Sequence, residues 1–352
     1  MAAHLPRHWI LAFVLLGLIV GIWSLRRRPQ QYPSAYVSDV AATLWSSTAV
    51  VRQPVATLGY GQRVAVLRRV ADQAEVRTDD GSIGWLDARV LMDPALWQQA
   101  AALLARARAL PVQAIGHTRA FSNVHLEPGR QSPRIFQFAR DVPVAVFERK
   151  LVSAANANND SPPEGASEPE DQQPKDEDWL FVMRREDTGA TPAGSASVPS
   201  SSVVSEHTDT GAAIPIAGWV LAQFVALDPP QPIPDYAGAS GLSVVAWVPL
   251  DPAADPDGEK PQYLVAGVHG EESRTCDFNA LRVYTWGAGQ KRYETAYVEN
   301  DLCGQLPIRV RKTPEGTEFS FAEIDQNNQE RVYRMKQTTV RLISSDGSPK
   351  GR

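Results

Sequence analysis

The chain offers little to a metal ion, a phosphate or a covalent mechanism. Its 352 residues include two cysteines, Cys276 and Cys303, set 27 positions apart and outside any CxxC. Six histidines, His4, His8, His117, His125, His207 and His269, are scattered along the chain, which excludes the usual zinc arrangements. Asp251, Asp255 and Asp257 miss the EF-hand spacing and read as an acidic turn. No G-x-S-x-G occurs, since Gly238-Ala239-Ser240-Gly241 falls one residue short. His269 precedes Cys276 by seven residues, a pairing that cysteine peptidases do not use because they draw the two from distant positions. Glycine-rich segments lack the Walker lysine. These absences predict a protein that is not an enzyme and carries no cofactor. Positive charge is not in excess either: 35 Lys and Arg against 40 Asp and Glu give a net charge of -5, so nucleic acid is not an expected partner.

One long apolar run is present. Trp9 to Leu25 is uncharged and spans about 25 Å as a helix, near the ~30 Å hydrocarbon core of a bilayer. Trp9 and Trp23 lie near its two ends, as interfacial anchors do. No A-x-A site and no lipid-accepting cysteine follow the run, so residues 1–30 are expected to be a retained single-pass anchor, with a cleaved signal or a buried helix as rivals. Arg26, Arg27 and Arg28 outnumber Arg7 and the amino terminus, and a charge count would put the bulk of the chain in the cytoplasm. The cysteines argue the other way if they pair, because disulfides persist in an oxidising compartment. The expectation is an extracytoplasmic, periplasmic bulk; two buried thiols remain the alternative.

The remainder repeats itself. GWLDARVL at Gly84–Leu91 returns as GWVLAQFV at Gly218–Val225, and VAVLRR at Val64–Arg69 returns as VAVFER at Val144–Arg149, so whole units are duplicated. The first runs over about residues 36–92, with short β-type runs separated by Gly59-Tyr60-Gly61 and Asp79-Asp80-Gly81. Asp93-Pro94 then opens a helix over 94–110, with Leu96, Trp97, Ala100, Leu103, Leu104 and Ala107 on one face. That pattern predicts a packing spacer. The second unit, 111–228, is longer by two polar inserts, about 153–178 and 187–213, whose composition predicts disorder.

With VHLEPG at Val124–Gly129, the paired V-A-V-L/F-x-R strands and the G-W segments, the two units resemble bacterial SH3 domains of the SH3b type. The resemblance implies two small β-barrels that bind cell-wall peptide or another envelope protein. Trp85 and Trp219 are expected in the cores. Trp45, Tyr60, Phe121 and Trp179 are candidates for a ligand groove, with Arg52, His125 and Glu127 as polar contacts; each has core packing or simple solvation as its rival.

Beyond the prolines at 229, 230, 232 and 234, read as a hinge, residues 242–343 hold runs such as LRVYTW and ERVYRMK that alternate apolar and polar. They predict an antiparallel, all-β C-terminal domain. The functional expectation is a membrane-anchored envelope protein whose tandem modules bind. The alternative is a structural or assembly protein in which the C-terminal domain is the interaction module.

Overall fold

A computed structural model describes residues 32–152, 176–185, 214–270, 276–324 and 329–343. The apolar run Trp9 to Leu25 and most of both inserts lie outside the described residues. No helix among the described residues is long and apolar enough to cross a membrane. The fold is mainly antiparallel β. It divides into two compact units, the first ending at Leu91 and the second beginning at Met92, with Ser38–Val40 grouped with the second.

In the first unit, β1 (Ser34–Val37), β2 (Ala42–Trp45), β3 (Pro54–Leu58), β4 (Arg63–Val70), β5 (Gln73–Thr78), β6 (Ile83–Asp87) and β7 (Leu91–Met92) form a seven-stranded sheet in the order β3-β2-β6-β5-β4-β1-β7. Alternation explains the strands. Val64 and Val66 on β4, and Ala74 and Val76 on β5, are buried while their neighbours face outward. These inward residues gather with Leu44, Leu58 and Leu86 into one core, each buried Val or Leu contributing about 1.5–3 kcal/mol. The end strands β3 and β7 do not pair, so the sheet wraps its core as an open sheet rather than the closed barrel that the resemblance implies.

The second unit opens with α1 (Pro94–Ala109). The Asp93 side chain accepts the Leu96 N–H at 2.8 Å, Pro94 fills the first turn, and Arg106 and Arg108 sit in the last turn, where the helix dipole favours cations. Pro111 disfavours helical backbone at Leu110, and the helix stops.

There follow β8 (Ala114–Thr118), β9 (Ser122–His125), β10 (Arg134–Phe138), β11 (Pro143–Val152), β12 (Glu177–Arg184), β13 (Ala217–Leu221) and β14 (Val225–Leu227), in the order β10-β9-β13-β12-β11-β8-β14. This is the first sheet's order, strand for strand. Even the irregularity in register recurs, between Val66 and Arg68 in one copy and between Val146 and Glu148 in the other. Because β12 begins at Glu177, the first insert ends before residue 178, its expected limit. The G-W pair has one cause in both copies. A Cβ on Gly84 would lie 2.7 Å from Leu44 Cγ and from the Trp45 carbonyl, and one on Gly218 would lie 2.5 Å from Val124 Cγ1 and 2.8 Å from the His125 carbonyl. Only glycine lets β6 and β13 approach the neighbouring strand.

The prolines at 229–234 do not act as a hinge. They lead into α2 (Ile233–Ala239), where Ile233 and Ala237 are buried, Tyr236 packs against Tyr284 at 5.4 Å, and its hydroxyl donates to the Tyr293 carbonyl. The C-terminal region is two four-stranded antiparallel sheets. One contains β15 (Leu242–Ala253), β16 (Lys260–His269), β17 (Ala280–Gly287) and β18 (Arg292–Glu299); the other contains β19 (Gly304–Thr313), β20 (Gly316–Glu323), β21 (Gln329–Lys336) and β22 (Thr339–Ile343). Leu264, Leu281 and Val283 of the first meet Ile308, Phe319, Phe321 and Tyr333 of the second in a shared core, which defines a sandwich.

Gln113 ties this sandwich to the second seven-stranded sheet. Fully buried, it donates its backbone N–H to Val146 O, accepts from Trp247 N–H, and exchanges side-chain hydrogen bonds with the backbone of Ile308 at 2.8 and 3.0 Å. Arg149 adds a second tie. It forms a bidentate pair with Asp178 at 2.9 and 2.8 Å and donates to the Asp277 carbonyl at 2.6 Å. Beside it, Cys276 and Cys303 are joined in a disulfide with Cα atoms 4.9 Å apart.

Candidate functional site

On the outer face of the first sheet, register places four side chains in one row. Trp45 on β2 pairs with Trp85 on β6, Trp85 with Glu75 on β5, and Glu75 with Arg68 on β4. Cations lie across the rings. The Arg52 guanidinium, from the loop between β2 and β3, sits 4.4 Å from the Trp45 ring centre, and that of Arg68 sits 4.7 Å from Trp85. Arg77, two residues from Glu75 and therefore on the same face, covers Tyr32 at 5.3 Å. Such stacks contribute about 0.5–1 kcal/mol at exposed sites. Arg68 donates from Nε to Glu75 at 2.7 Å, whereas Arg52 has no ion pair among the described residues. Val50 and Val51, in the same loop as Arg52, are 100% and 92% exposed.

The second sheet builds the corresponding row from His125 on β9, Trp219 on β13, Phe181 on β12 and Glu148 on β11. Here the face is closed. Leu103, Leu104 and Ala107 of α1 pack on Phe147, Trp179, Phe181 and Trp219. Arg106 of α1 reaches over Phe181 at 5.0 Å and pairs with Glu148 at 2.5 Å. Carrying the register back to the first sheet, Trp179, Phe181 and Met183 correspond to Gln73, Glu75 and Arg77. A face apolar enough to hold a helix in one copy is polar in the other.

The residues singled out from sequence therefore separate. Trp45 and Arg52 come together. Tyr60 sits in the turn after β3, at the Ala42 end of β2 and about 10 Å along the strand from Trp45; burial pushes its phenol up to about 12. Phe121 is 71% exposed just before β9, at the end opposite His125. Trp179 is corrected from groove to core: it is 1% exposed because α1 covers it. His125 is likewise buried rather than presented to a ligand, with its ring edge-on to Trp179 at 5.3 Å and its Nδ1 2.8 Å from the Ser132 carbonyl. Trp85 and Trp219 are 8% and 5% exposed, against opposite covers, an arginine in one case and a helix in the other. Sequence reasoning missed Arg68 and the part Trp85 plays beside Trp45. The signal was in the paired strings VAVLRR and VAVFER, whose single change of charge falls at Arg68 and Glu148.

Glu127 is exposed at a different place, on a cleft of about 930 Å³ shared by α1, the β9–β10 loop, the end of β11 and the start of β19. Arg106, Glu148, Arg149, Lys150 and Trp219 also line it. Two of its cations are paired, Arg106 with Glu148 and Arg149 with Asp178. Nearby, Asp277 is 5% exposed. Burial pushes its carboxyl up to about 7, against the lowering effects of the Leu306 N–H and of Arg149. Among the described residues no group of His, Cys, Asp and Glu could hold a metal ion.

No family model and no curated protein matches the chain. Among solved structures it is similar to NlpC2 from Trichomonas vaginalis at 8% identity and a TM-score of 0.17, over 79% of this chain and 100% of that one. A similarity that distant carries no argument about fold or activity.

Proposed function

We propose that the chain is a non-catalytic, membrane-anchored envelope protein of the SH3b type, in which the first module binds cell-wall peptide or an envelope protein and the second has become scaffold. The observation that carries this reading is the unequal fate of one face: α1 fills it in the second sheet, while in the first Trp45 and Trp85 lie under Arg52 and Arg68, with exposed Val50 and Val51 in the loop that carries Arg52. Aromatic and arginine side chains dominate binding hot spots because they combine large area with directional polar contact. The disulfide supports an oxidising, periplasmic setting for the C-terminal region. The anchor, carried by Trp9 to Leu25, would hold the first module beside the membrane, with its first strand starting at Ser34.

The test is co-sedimentation of the detergent-solubilised full chain with purified sacculi, alongside crosslinking of the chain in intact cells. Retention or a crosslink that is lost in the Trp45→Ala, Trp85→Ala double variant and kept in Phe121→Ala supports the reading. Binding unaffected by the double variant contradicts it.

A further inference from the structure

We propose that the outer face of the first module docks an acidic polypeptide segment of a partner protein, with the partner's carboxylates meeting Arg68 and Arg52 over the Trp45–Trp85 pair. This rests on the reading of that module as the binding one and adds the chemistry of its occupant. The second module supplies the precedent. The face built from the same strands in the same register already holds a polypeptide segment, α1, whose Arg106 lies on Phe181 and pairs with Glu148. At the position of Glu148 the first module carries Arg68, and the acid-seeking and base-seeking roles exchange. A segment seated there must bring carboxylates where α1 brings a guanidinium.

Charge on the face agrees. Arg52, Arg68 and Arg77 outnumber Glu75, and Asp87, two residues beyond Trp85, is taken up by Arg89 at 2.6 Å. Arg68 uses Nε for Glu75, and its Nη groups make no hydrogen bond among the described residues. The partner is not a wholly apolar helix, because Gln73, Glu75 and Arg77 occupy the positions that Trp179, Phe181 and Met183 give to α1. From β2 to β4 the row crosses four strands, about 14 Å, which suits roughly four or five extended residues. Small apolar residues between the acids would rest on the two indoles.

Fluorescence anisotropy of a labelled Ala-Glu-Leu-Glu-Ala-Leu-Glu peptide against the full chain in detergent tests the proposal, with Gln and Lys versions of the peptide as the other arms. Expected are saturable binding of the Glu peptide, weakening with salt, about tenfold loss for each carboxylate replaced, and no binding of the Lys version. Arg68→Glu, which leaves the face with as many carboxylates as cations, should abolish the preference for Glu over Lys, and Arg52→Ala, which removes the exposed cation stacked on Trp45, should weaken the Glu peptide without abolishing that preference. Equal binding of the Glu and Gln peptides, both lost in the Trp45→Ala, Trp85→Ala variant, would overturn the acidic class and leave the first module as the binding one. No binding of any peptide, with retention on sacculi that Arg68→Glu abolishes, would replace the protein partner with a cell-wall one. No binding to peptides or sacculi would overturn both readings.

Discussion

The two seven-stranded sheets share an order, a register irregularity and a Gly-Trp strand, yet among the described residues a helix lies on the outer face of the second alone. The difference teaches that one strand order can present an apolar, helix-covered face in one copy and a polar face in the other. On the covered copy the outward positions are Trp179, Phe181 and Met183, packed under α1, and Gln113 and Arg149 tie that module to the sandwich. On the open copy the same positions are Gln73, Glu75 and Arg77, which need no cover, and a tryptophan pair stays close to the surface under arginines.

The sharpest way to break this comparison is to remove the repeated tryptophan from each copy. Trp219→Ala should cost about 3–5 kcal/mol, because it leaves a cavity beneath α1. Trp85→Ala should cost about half as much, because its cover is the flexible side chain of Arg68. Chemical denaturation followed by circular dichroism measures both, and equal losses would mean that the two environments are equivalent.

Acidity separates the units next. Asp277, in the second unit only, has a folded pKa raised to about 7 from an unfolded value near 3.9. Its proton is held more tightly in the folded state, so its contribution to stability is fully present below about pH 4 and is lost as pH rises through about 7. Over that window the second unit should lose up to about 4 kcal/mol from this group. Asp277→Asn should flatten the slope, which melting temperature against pH will display; an unchanged slope would assign the pH dependence to other groups.

A smaller effect is expected at Gln113. Gln113→Ala leaves the Ile308 N–H and carbonyl without their buried partners and should cost about 1–3 kcal/mol. Amide exchange should quicken along β15 and β19 and stay unchanged in β1 to β6. Acceleration confined to the first module would contradict the assignment of this tie.

Much of the architecture was legible in the chain. The repeat strings located both modules, Asp93-Pro94 located α1, and alternation located the strands of the C-terminal sandwich. The site was legible only at Trp45 and Arg52, one strand end and the loop beside it. Trp179 read as a groove residue because nothing local records that a helix some seventy residues earlier in the chain returns to cover it. His125 misled for the same reason. Prolines at 229–234 suggested a hinge, since their composition does not reveal that Tyr236 will find Tyr284 and the Tyr293 carbonyl. Sheet closure is equally nonlocal, and strand patterns do not say whether the first and last strands meet.

The measurement that tests the central claim most directly is hydroxyl-radical footprinting of tryptophan in the full chain, read by mass spectrometry with and without the Glu-bearing peptide. The account predicts ready oxidation of Trp45, protection of Trp179 and Trp219 throughout, and loss of Trp45 labelling when the peptide is added. Oxidation of Trp219 at the rate of Trp45, or Trp45 labelling that the peptide leaves unchanged, would contradict it.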